Sequence, residues 1–333
     1  MILNDNSIIF HIDVNSAYLS WSALRELQNG SKLDLRTIPS IVGGDQETRH
    51  GIVVAKSIPA KAFGIQTAET VASAFQKCPT LVMVPPDHTY YREMSQKLMR
   101  HLRSICDEIE QVSIDECYMS FEPIRGRFPS PEAAATYIKD SVYDTFGFTV
   151  NVGISDRKVL AKMASDFKKP NLVHTLYVSE IQRKLWPLPI ASLHMCGKSS
   201  AKLLQKMGIR TIGDLARTDK AVVESWLKSH GGMLWNYANG IDDGQVVKEK
   251  PKAKGVGNSN NTGQQCGNRR RGIHRIKRIG SQCITTSEKA SFSCGADQYG
   301  DQICIISFRI TSNNHTDSDS RRNGNLSMCL SAV

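Results

Sequence analysis

Three carboxylates lie where strands are predicted to end or to turn. Asp13 closes a stretch of alternating apolar residues, and Asp115 and Glu116 lie between two short apolar runs, 109–112 and 117–121. Strands that neighbour one another in a sheet would bring these carboxylates to one edge. Clustered carboxylates repel one another unless hard divalent ions lie between them, and Mg²⁺ prefers oxygen ligands. Two such ions support in-line phosphoryl transfer.

The same three residues have a simpler interpretation. Asp13 could cap the end of its strand, and Asp115 and Glu116 could form a solvated turn. Spacing alone favours this interpretation, so a metal site has to be argued from the rest of the sequence.

Strands and helices alternate along the first 250 residues. The first helix begins at Ser16, its predicted N-cap, and ends near Gly30. Short helices separated by glycines follow Pro187. The other predicted elements are strands at 51–55, 109–112, 117–121 and 148–154 and helices at 90–110, 131–145 and 158–167. This order, with a hairpin at its centre, predicts an α+β fold with a ferredoxin-like sheet, and residues 39–86 form a small inserted subdomain.

The composition favours a nucleic acid as the partner. The chain has 333 residues, with 42 Lys and Arg against 32 Asp and Glu, a formal charge of +10. Such an excess fits a polyanionic partner. No apolar run reaches the roughly 18 residues of a membrane span and no secretory pattern opens the sequence, so we expect a cytoplasmic protein without membrane contact. The nine cysteines form no Cys-x-x-Cys pair, so neither a zinc site nor a disulfide framework is supported.

The composition changes near residue 250. Residues 251–333 hold 12 Lys and Arg against 5 Asp and Glu, five of the nine cysteines, and two leucines against 20 in the first 250 residues. A segment so poor in leucine has little with which to build a core. We therefore expect a linker and an aberrant, poorly ordered segment over 247–333.

Four motifs in order make the sequence similar to a known family. They read HIDVNSAYLSW from His11, SIDECY from Ser113, VGISDRKVLAKMASDFKKPN from Val152 and GKSSAKLLQKMGIRTIGDLA from Gly197. Together they resemble the Y-family DNA polymerases, the translesion class, and within it the polymerase IV branch. The resemblance runs from about residue 7 to residue 259. It implies a ferredoxin-like palm at 1–15 and 82–176, small fingers at 16–81 and an all-α helix-hairpin-helix thumb at 177–246.

The resemblance also implies a catalytic site. Asp13, Asp115 and Glu116 would be catalytic residues and ligands of two Mg²⁺ ions, with the backbone carbonyl of Val14 as a further ligand. Tyr18 would be the steric gate that leaves no room for a 2′-hydroxyl on the incoming nucleotide.

Substrate and DNA contacts follow from the same resemblance. Lys61 and Lys169 would bind the triphosphate of a dNTP. Gly197, Lys198 and Gly208 would hold primer–template DNA through its phosphates without reading bases. The implied function is template-directed, low-fidelity translesion DNA synthesis in DNA damage tolerance and repair, with nucleotidyl transfer from a dNTP to a primer 3′-hydroxyl.

Several positions depart from the family pattern. Ile58 and Lys61 stand where many members have an aromatic residue and an arginine, so the triphosphate contact is weaker or differently made. Asn15 replaces an acid that is common in the branch but is not a principal ligand. Met195 replaces the first glycine of the usual Gly-x-Gly hairpin, which puts that phosphate contact in doubt.

The C-terminal residues do not align with the family's fourth domain, the little finger. Read one nucleotide to the right, permitted codons for 266–279 encode an acidic amphipathic helix of the kind expected there. We therefore offer the hypothesis that the segment is the product of a frameshift, which sequencing across codons 255–266 tests. The alternative is a disordered basic tail that binds DNA non-specifically. No C-terminal clamp-binding peptide is seen, so we do not expect contact with a sliding clamp.

The sequence is also compatible with a protein that is not an active polymerase. The chain could be a catalytically impaired DNA-binding remnant of such a polymerase that lacks a functional little finger, or a regulatory subunit of a polymerase. Lys158 and Lys162, four residues apart on one helix face, either contact nucleic acid or are solvated.

Overall fold

The computed structural model describes residues 7–44, 51–248, 255–261, 291–299 and 303–311. Its strands are β1 (Ile9–Val14), β2 (Ser40–Gly43), β3 (Val53–Lys56), β4 (Val82–Val84), β5 (Ile109–Gln111), β6 (Glu116–Ser120), β7 (Val150–Ser155), β8 (Val173–Thr175), β9 (Gly255–Asn261), β10 (Ser291–Tyr299) and β11 (Ile303–Thr311). Its α-helices are α1 (Ala17–Gln28), α2 (Ile58–Ala62), α3 (Val71–Lys77), α4 (His88–Ile105), α5 (Pro131–Phe146), α6 (Lys158–Ser165), α7 (Ile181–Lys184), α8 (Lys198–Lys206), α9 (Ile212–Arg217) and α10 (Lys220–Ala238). The chain divides into two compact units, Met1–Lys250 and Pro251–Val333.

A five-stranded sheet in the order β5-β6-β1-β7-β8, which we call the central sheet, carries the predicted acids. Its neighbouring strands are antiparallel except β7 and β8, which are parallel. In the register of these strands, Asp13 lies opposite Glu116 on one side and opposite Asn151 on the other.

Different helices cover the two faces of the central sheet. On one face, Phe10 and Ile12 of β1 pack with buried residues of α1, α4 and α5. On the other face, which carries Asp13, α6 packs against β1 and β7. A Cβ atom on Gly153 would lie 2.0 Å from the carbonyl oxygen of Ala161, so only glycine lets α6 approach so closely.

A second, small sheet in the order β3-β2-β4 lies within the stretch predicted as an inserted subdomain. Its core includes Ile41 and Val53, packed with residues of α2 and α3. The side chain of Ser57 accepts a hydrogen bond from Ala60 N at the start of α2, which is the usual N-cap contact.

Helices α7–α10 form a segment that shares its core with α6. Thr211 and Asp214 form a capping box at the start of α9, in which each side chain accepts a hydrogen bond from the other's backbone N–H. The long helix α10 is kinked at Lys228, where φ is 55°.

Residues 241–248, which we call the strap, lie along the central sheet after α10. Asp242 Oδ2 accepts a hydrogen bond of 2.8 Å from Val159 N in the first turn of α6. Glu110 Oε2 accepts hydrogen bonds from Lys158 Nζ and from Val247 N, both at 2.7 Å. The strap is thus fastened to both α6 and β5.

In the unit Pro251–Val333, strands β9, β10 and β11 form an antiparallel sheet in the order β10-β11-β9. These strands lie in the segment for which the sequence predicts poor order. Residues 262–290, to which the frameshift hypothesis chiefly applies, lie outside the described residues. In the described part of the chain, no helix is long and apolar enough to cross a membrane.

The predicted α+β class is confirmed, with differences at the ends of two helices. Helix α4 ends at Ile105 rather than at residue 110, because Cys106 has extended backbone angles. Ser16 precedes α1 as predicted, but it adopts a left-handed conformation with φ of 48° and its side chain makes no capping hydrogen bond. The predicted N-cap position is therefore confirmed, but without a capping contact from the Ser16 side chain.

Candidate active site

Asp13 and Glu116 lie opposite each other on neighbouring strands, with side chains that are 12% and 19% exposed. Asp115 lies in the turn just before β6, and its carbonyl oxygen accepts a hydrogen bond of 3.1 Å from Val14 N. The Asp115 carboxylate accepts a hydrogen bond of 2.6 Å from Ser113 Oγ. These contacts fix the turn against the end of β1, so the three acids predicted to meet share one edge of the central sheet.

The environment of Asp115 disfavours the negative charge of its carboxylate. Burial raises the pKa of Asp115, and the charges of Asp13 and Glu116 raise it further against the hydrogen bond from Ser113. Carboxylates held this close together favour any cation that binds between them.

Two lysine ammonium groups supply positive charge at this edge. Lys162 Nζ donates to Glu116 Oε2 at 2.5 Å and lies 4.0 Å from Asp13 Oδ1. Lys169 Nζ donates to Asp13 Oδ2 at 2.5 Å and lies 2.9 Å from Asp166 Oδ1. Burial opposes the charge of both lysines, but the neighbouring carboxylates more than offset it, so both pKa values are raised. Lys162, whose role the sequence left open, therefore lies in the candidate site.

His11 supports Glu116 from the protein interior. It is fully buried, with Nδ1 2.8 Å from Ser165 Oγ and Nε2 3.4 Å from Glu116 Oε2. The distance to Glu116 is long, and Nε2 has no well-aligned hydrogen bond to the residues that the structure describes. Burial lowers the pKa of His11. His11 and Lys162 together hold the pKa of Glu116 at about 2, against the effect of its burial.

The residues present fit divalent ions. Within the described residues no three His, Cys, Asp or Glu side chains form a ready-made metal cluster, and ammonium groups contact the carboxylates instead. The donors at this edge are nevertheless carboxylate oxygens, the ligands that Mg²⁺ prefers. Asp13 and Glu116 each already contact a lysine ammonium group at 2.5 Å, so both carboxylates are placed to bind positive charge.

Tyr18 stands beside the carboxylates on the first turn of α1. Its ring stacks on Tyr91, with ring centres 4.6 Å apart and planes inclined by 22°, and it contacts Trp21 and His88 edge to face. Burial raises the pKa of the Tyr18 hydroxyl, and the nearby charge of Asp115 raises it further. The stack holds the half-buried ring in a fixed plane next to the acids.

The other predicted site residues lie on different elements. Lys61 is exposed on α2, and among the described residues no hydrogen bond or ion pair joins it to the carboxylates. Gly197 is the N-cap residue of α8 and Lys198 is the first residue of that helix. Gly208, with φ of 84°, lies in the turn after α8. The structure therefore brings Lys169 and Tyr18 to the acids but not these four residues.

Met195 occupies a conformation suited to glycine. Its φ is 66°, and its side chain is 56% exposed. Gly197, two residues later, has φ of −65°, which any residue adopts. Relative to the Gly-x-Gly pattern, this chain therefore lacks the glycine at the position where the turn requires its backbone freedom.

Three residues of the site were not predicted to have roles. His11 lies two positions before Asp13 on the same face of β1, and strand alternation was the signal that could have found it. Asn15, noted only as a replacement, and Asn151 contact the loop that carries Lys169. Polar residues within or directly after predicted core strands were the available signal for this pair.

Comparisons with a family model, with related sequences and with solved structures agree with one another. Residues 12–166 match the impB/mucB/samB family. DNA polymerase IV of Clostridium acetobutylicum is 46% identical over 254 residues, which is 76% of this chain and 64% of that protein. DNA polymerase IV of Alkaliphilus oremlandii is 38% identical over 255 residues, or 76% of this chain and 63% of that protein. A chimeric Y-family DNA polymerase of known structure superimposes with a TM-score of 0.75 at 19% identity, covering 93% of this chain and all of that one.

The fold is thus that of a Y-family DNA polymerase. Its sequence is similar to the impB/mucB/samB family over residues 12–166 and to DNA polymerase IV proteins over 76% of the chain. The chain spans under two thirds of the length of these relatives.

Proposed function

We propose that the protein is a template-directed DNA polymerase of the low-fidelity translesion type, which transfers a nucleotide from a dNTP to a primer 3′-hydroxyl. The observation that carries this proposal is the register of β1 and β6, which sets Asp13 opposite Glu116, with Asp115 tied to the end of β1. The match of residues 12–166 to the impB/mucB/samB family and the 46% identity to a DNA polymerase IV support the same reaction.

Asp13, Asp115 and Glu116, with the Val14 carbonyl, would hold two Mg²⁺ ions. When bound, these ions supply charge stabilisation at the primer 3′-hydroxyl and at the triphosphate. The chain itself supplies Lys169, whose ammonium lies at the open side of Asp13, 35% exposed, where a triphosphate can replace its contact with that acid.

Tyr18 would select deoxynucleotides by its position. The ring is locked by stacking on Tyr91, so it cannot move aside for a 2′-hydroxyl without losing that contact. We expect Tyr18→Ala to raise the ratio of ribonucleotide to deoxynucleotide insertion by at least about tenfold, whereas Tyr137→Ala, which removes an exposed tyrosine of α5, leaves the ratio unchanged. An unchanged ratio for Tyr18→Ala would remove this role.

Duplex DNA would be held by the start of α8 and the turn after it. Gly197 caps the start of α8, where the first turn of the helix presents backbone N–H groups and Lys198 supplies a cation, and Gly208 shapes the following turn. Lys61, exposed on α2, would reach the triphosphate only if the small sheet and the central sheet approach each other around the nucleotide.

Primer extension with a dNTP and Mg²⁺ tests the proposed function. The wild-type chain should extend a primer on a template, and the double variant Asp115→Ala, Glu116→Ala should lose at least about a thousandfold in rate. Equal signals from both proteins would favour the alternative, a DNA-binding remnant whose acids do not engage a primer.

A further inference from the structure

Two buried asparagines lie next to the loop that carries Lys169. Asn15 follows β1 and is 7% exposed, and Asn151 belongs to β7 and is fully buried. Asn15 Nδ2 donates to Asn151 Oδ1 at 3.2 Å, which joins the two side chains across neighbouring strands.

Residues 168–172, which we call the lysine loop, are hydrogen-bonded to these two amides. Asn15 Oδ1 accepts from Asn171 N at 2.9 Å, and Asn151 Oδ1 accepts from Leu172 N at 3.2 Å. Asn151 Nδ2 donates to Lys168 O at 2.9 Å. The backbone is therefore held on both sides of Lys169.

The partners determine the orientation of both amides. A backbone N–H can only donate and a carbonyl can only accept, so Asn15 must turn Oδ1 towards Asn171 and Asn151 must turn Nδ2 towards Lys168. Asn15 Nδ2 is then left to donate to Asn151 Oδ1. Turning either amide over would set like groups against each other, so the network has one arrangement.

The identity of residue 15 matters for this network. An aspartate could still accept from Asn171 N, but it would set an oxygen against Asn151 Oδ1 in place of the donor that Asn15 provides. Asparagine at position 15, with one donor and one acceptor, therefore suits the asparagine at position 151.

We propose that Asn15 and Asn151 are positioning residues for Lys169. They hold the lysine loop so that the Lys169 ammonium stays at Asp13, ready for the triphosphate of the incoming nucleotide. This inference rests on the proposed function. Both amides are buried and hydrogen-bonded to the lysine loop, so both act through the loop. Loosening the loop should weaken nucleotide binding while changing the chemical step less.

A double-mutant cycle on the full-length chain tests the proposal. The variants are Asn15→Ala and Asn151→Ala, each alone and combined with Lys169→Ala. Single-nucleotide primer extension gives kcat and KM for the dNTP, and binding to a dideoxy-terminated primer–template in Ca²⁺ gives its Kd. We expect each asparagine variant to raise KM and Kd about five- to tenfold with kcat within about twofold, and to add less than about twofold once Lys169 is alanine.

Two further variants guard against general destabilisation. Ser141→Ala removes a hydrogen bond of 3.1 Å to His101 between α5 and α4, away from the lysine loop, and should leave KM unchanged. Thr149→Val removes a hydrogen bond of 2.9 Å to Asn15 Oδ1 with little change of volume, and should raise KM about two- to threefold. If the alanine variants do not fold, the KM of Thr149→Val tests the proposal in their place.

The outcomes separate this inference from the proposed function. Rises in KM that are equal with and without Lys169, or a loss confined to kcat, would overturn the positioning role alone. A wild-type chain that extends no primer, or an unchanged KM in Lys169→Ala, would overturn the proposed role of Lys169 and this inference with it.

Discussion

Glu116 shows how neighbouring residues set the pKa of a single carboxyl group in the site. Its pKa of about 2 lies below the ordinary 4.5 because His11 and Lys162 stabilise the carboxylate more than burial destabilises it. A carboxyl group with a lowered pKa adds stability above its unfolded-state pKa, and this stability is lost as the pH falls through the folded-state pKa. The window for Glu116 is therefore roughly pH 4.5 down to pH 2.

We predict that Glu116→Gln flattens the acid side of the stability profile. Between pH 5 and pH 2, wild type should lose up to about 3 kcal/mol more of its free energy of unfolding than the variant does, since only wild type has this carboxylate to protonate. Urea unfolding at several pH values measures the difference. Glu224→Gln, at an exposed position of α10, is the control and should follow wild type. Profiles of equal slope for Glu116→Gln and wild type would contradict the prediction.

Sequence reasoning found the acids, and the family resemblance added Tyr18 and Lys169, but the other residues around the acids were not predicted. Asp13 and the pair Asp115 and Glu116 stand out because they end or interrupt apolar strands. The role of Lys162 could not be assigned from the sequence, because a lysine on a helix shows the same sequence pattern whether its side chain faces water or an acid 46 residues away in the chain. Asn15 and Asn151 were missed because their value lies in hydrogen bonds to each other and to a distant loop, which only the folded register creates.

At the scale of elements, the turn before α8 carries backbone strain. A residue other than glycine in the left-handed region costs about 1 kcal/mol, and Met195 offsets little of this by packing because its side chain is half exposed. The turn therefore keeps its shape at the expense of stability.

We predict that Met195→Gly stabilises the protein by about 0.5–1 kcal/mol, because glycine adopts this conformation without strain. Thermal unfolding should show a midpoint raised by about 1–3 °C. Met195→Ala is the matched control, since it shortens the side chain but keeps the strain, and should give no gain. A lower midpoint for the glycine variant than for wild type would show that the Met195 side chain matters more than its backbone.

The existence of the elements was easier to predict than their ends. Apolar periodicity predicts α4 and α5 because one face of each is buried, and alternating or β-branched residues predict β1 and β7, which are buried on both faces. The ends depend on single residues, as at Cys106, where extended backbone stops α4 five residues early. The small sheet was only partly foreseen, because β2 and β4 are short and pair through a parallel register that the sequence does not mark.

At the scale of the whole molecule, the candidate site and the excess of positive charge lie in different units. All the described residues of the site belong to Met1–Lys250, whereas residues 251–333 hold 12 basic and 5 acidic residues. Catalytic geometry and DNA affinity should therefore be separable by truncation.

We predict that a chain ending at Lys250 keeps its fold but binds DNA less tightly. Its thermal midpoint should match that of the first transition of the full chain, because all five core clusters of the described residues lie within this unit. Affinity for a primer–template should fall at least about tenfold, and its dependence on salt should become shallower, because fewer cations are released from the DNA. Fluorescence anisotropy at two salt concentrations measures both. An unchanged affinity would show that the basic residues of the second unit do not touch DNA.

The lysines that contact Asp13 and Glu116 have a practical consequence for handling the protein. Because these ammonium groups already neutralise the acids, assembly of the sheet edge does not wait for a metal, as it does in zinc-dependent domains. Protein stripped with EDTA should stay folded and melt no more than about a few degrees below protein kept in Mg²⁺, and should regain full turnover when the ion is returned. The protein could then be stored for a long time in a chelator without unfolding.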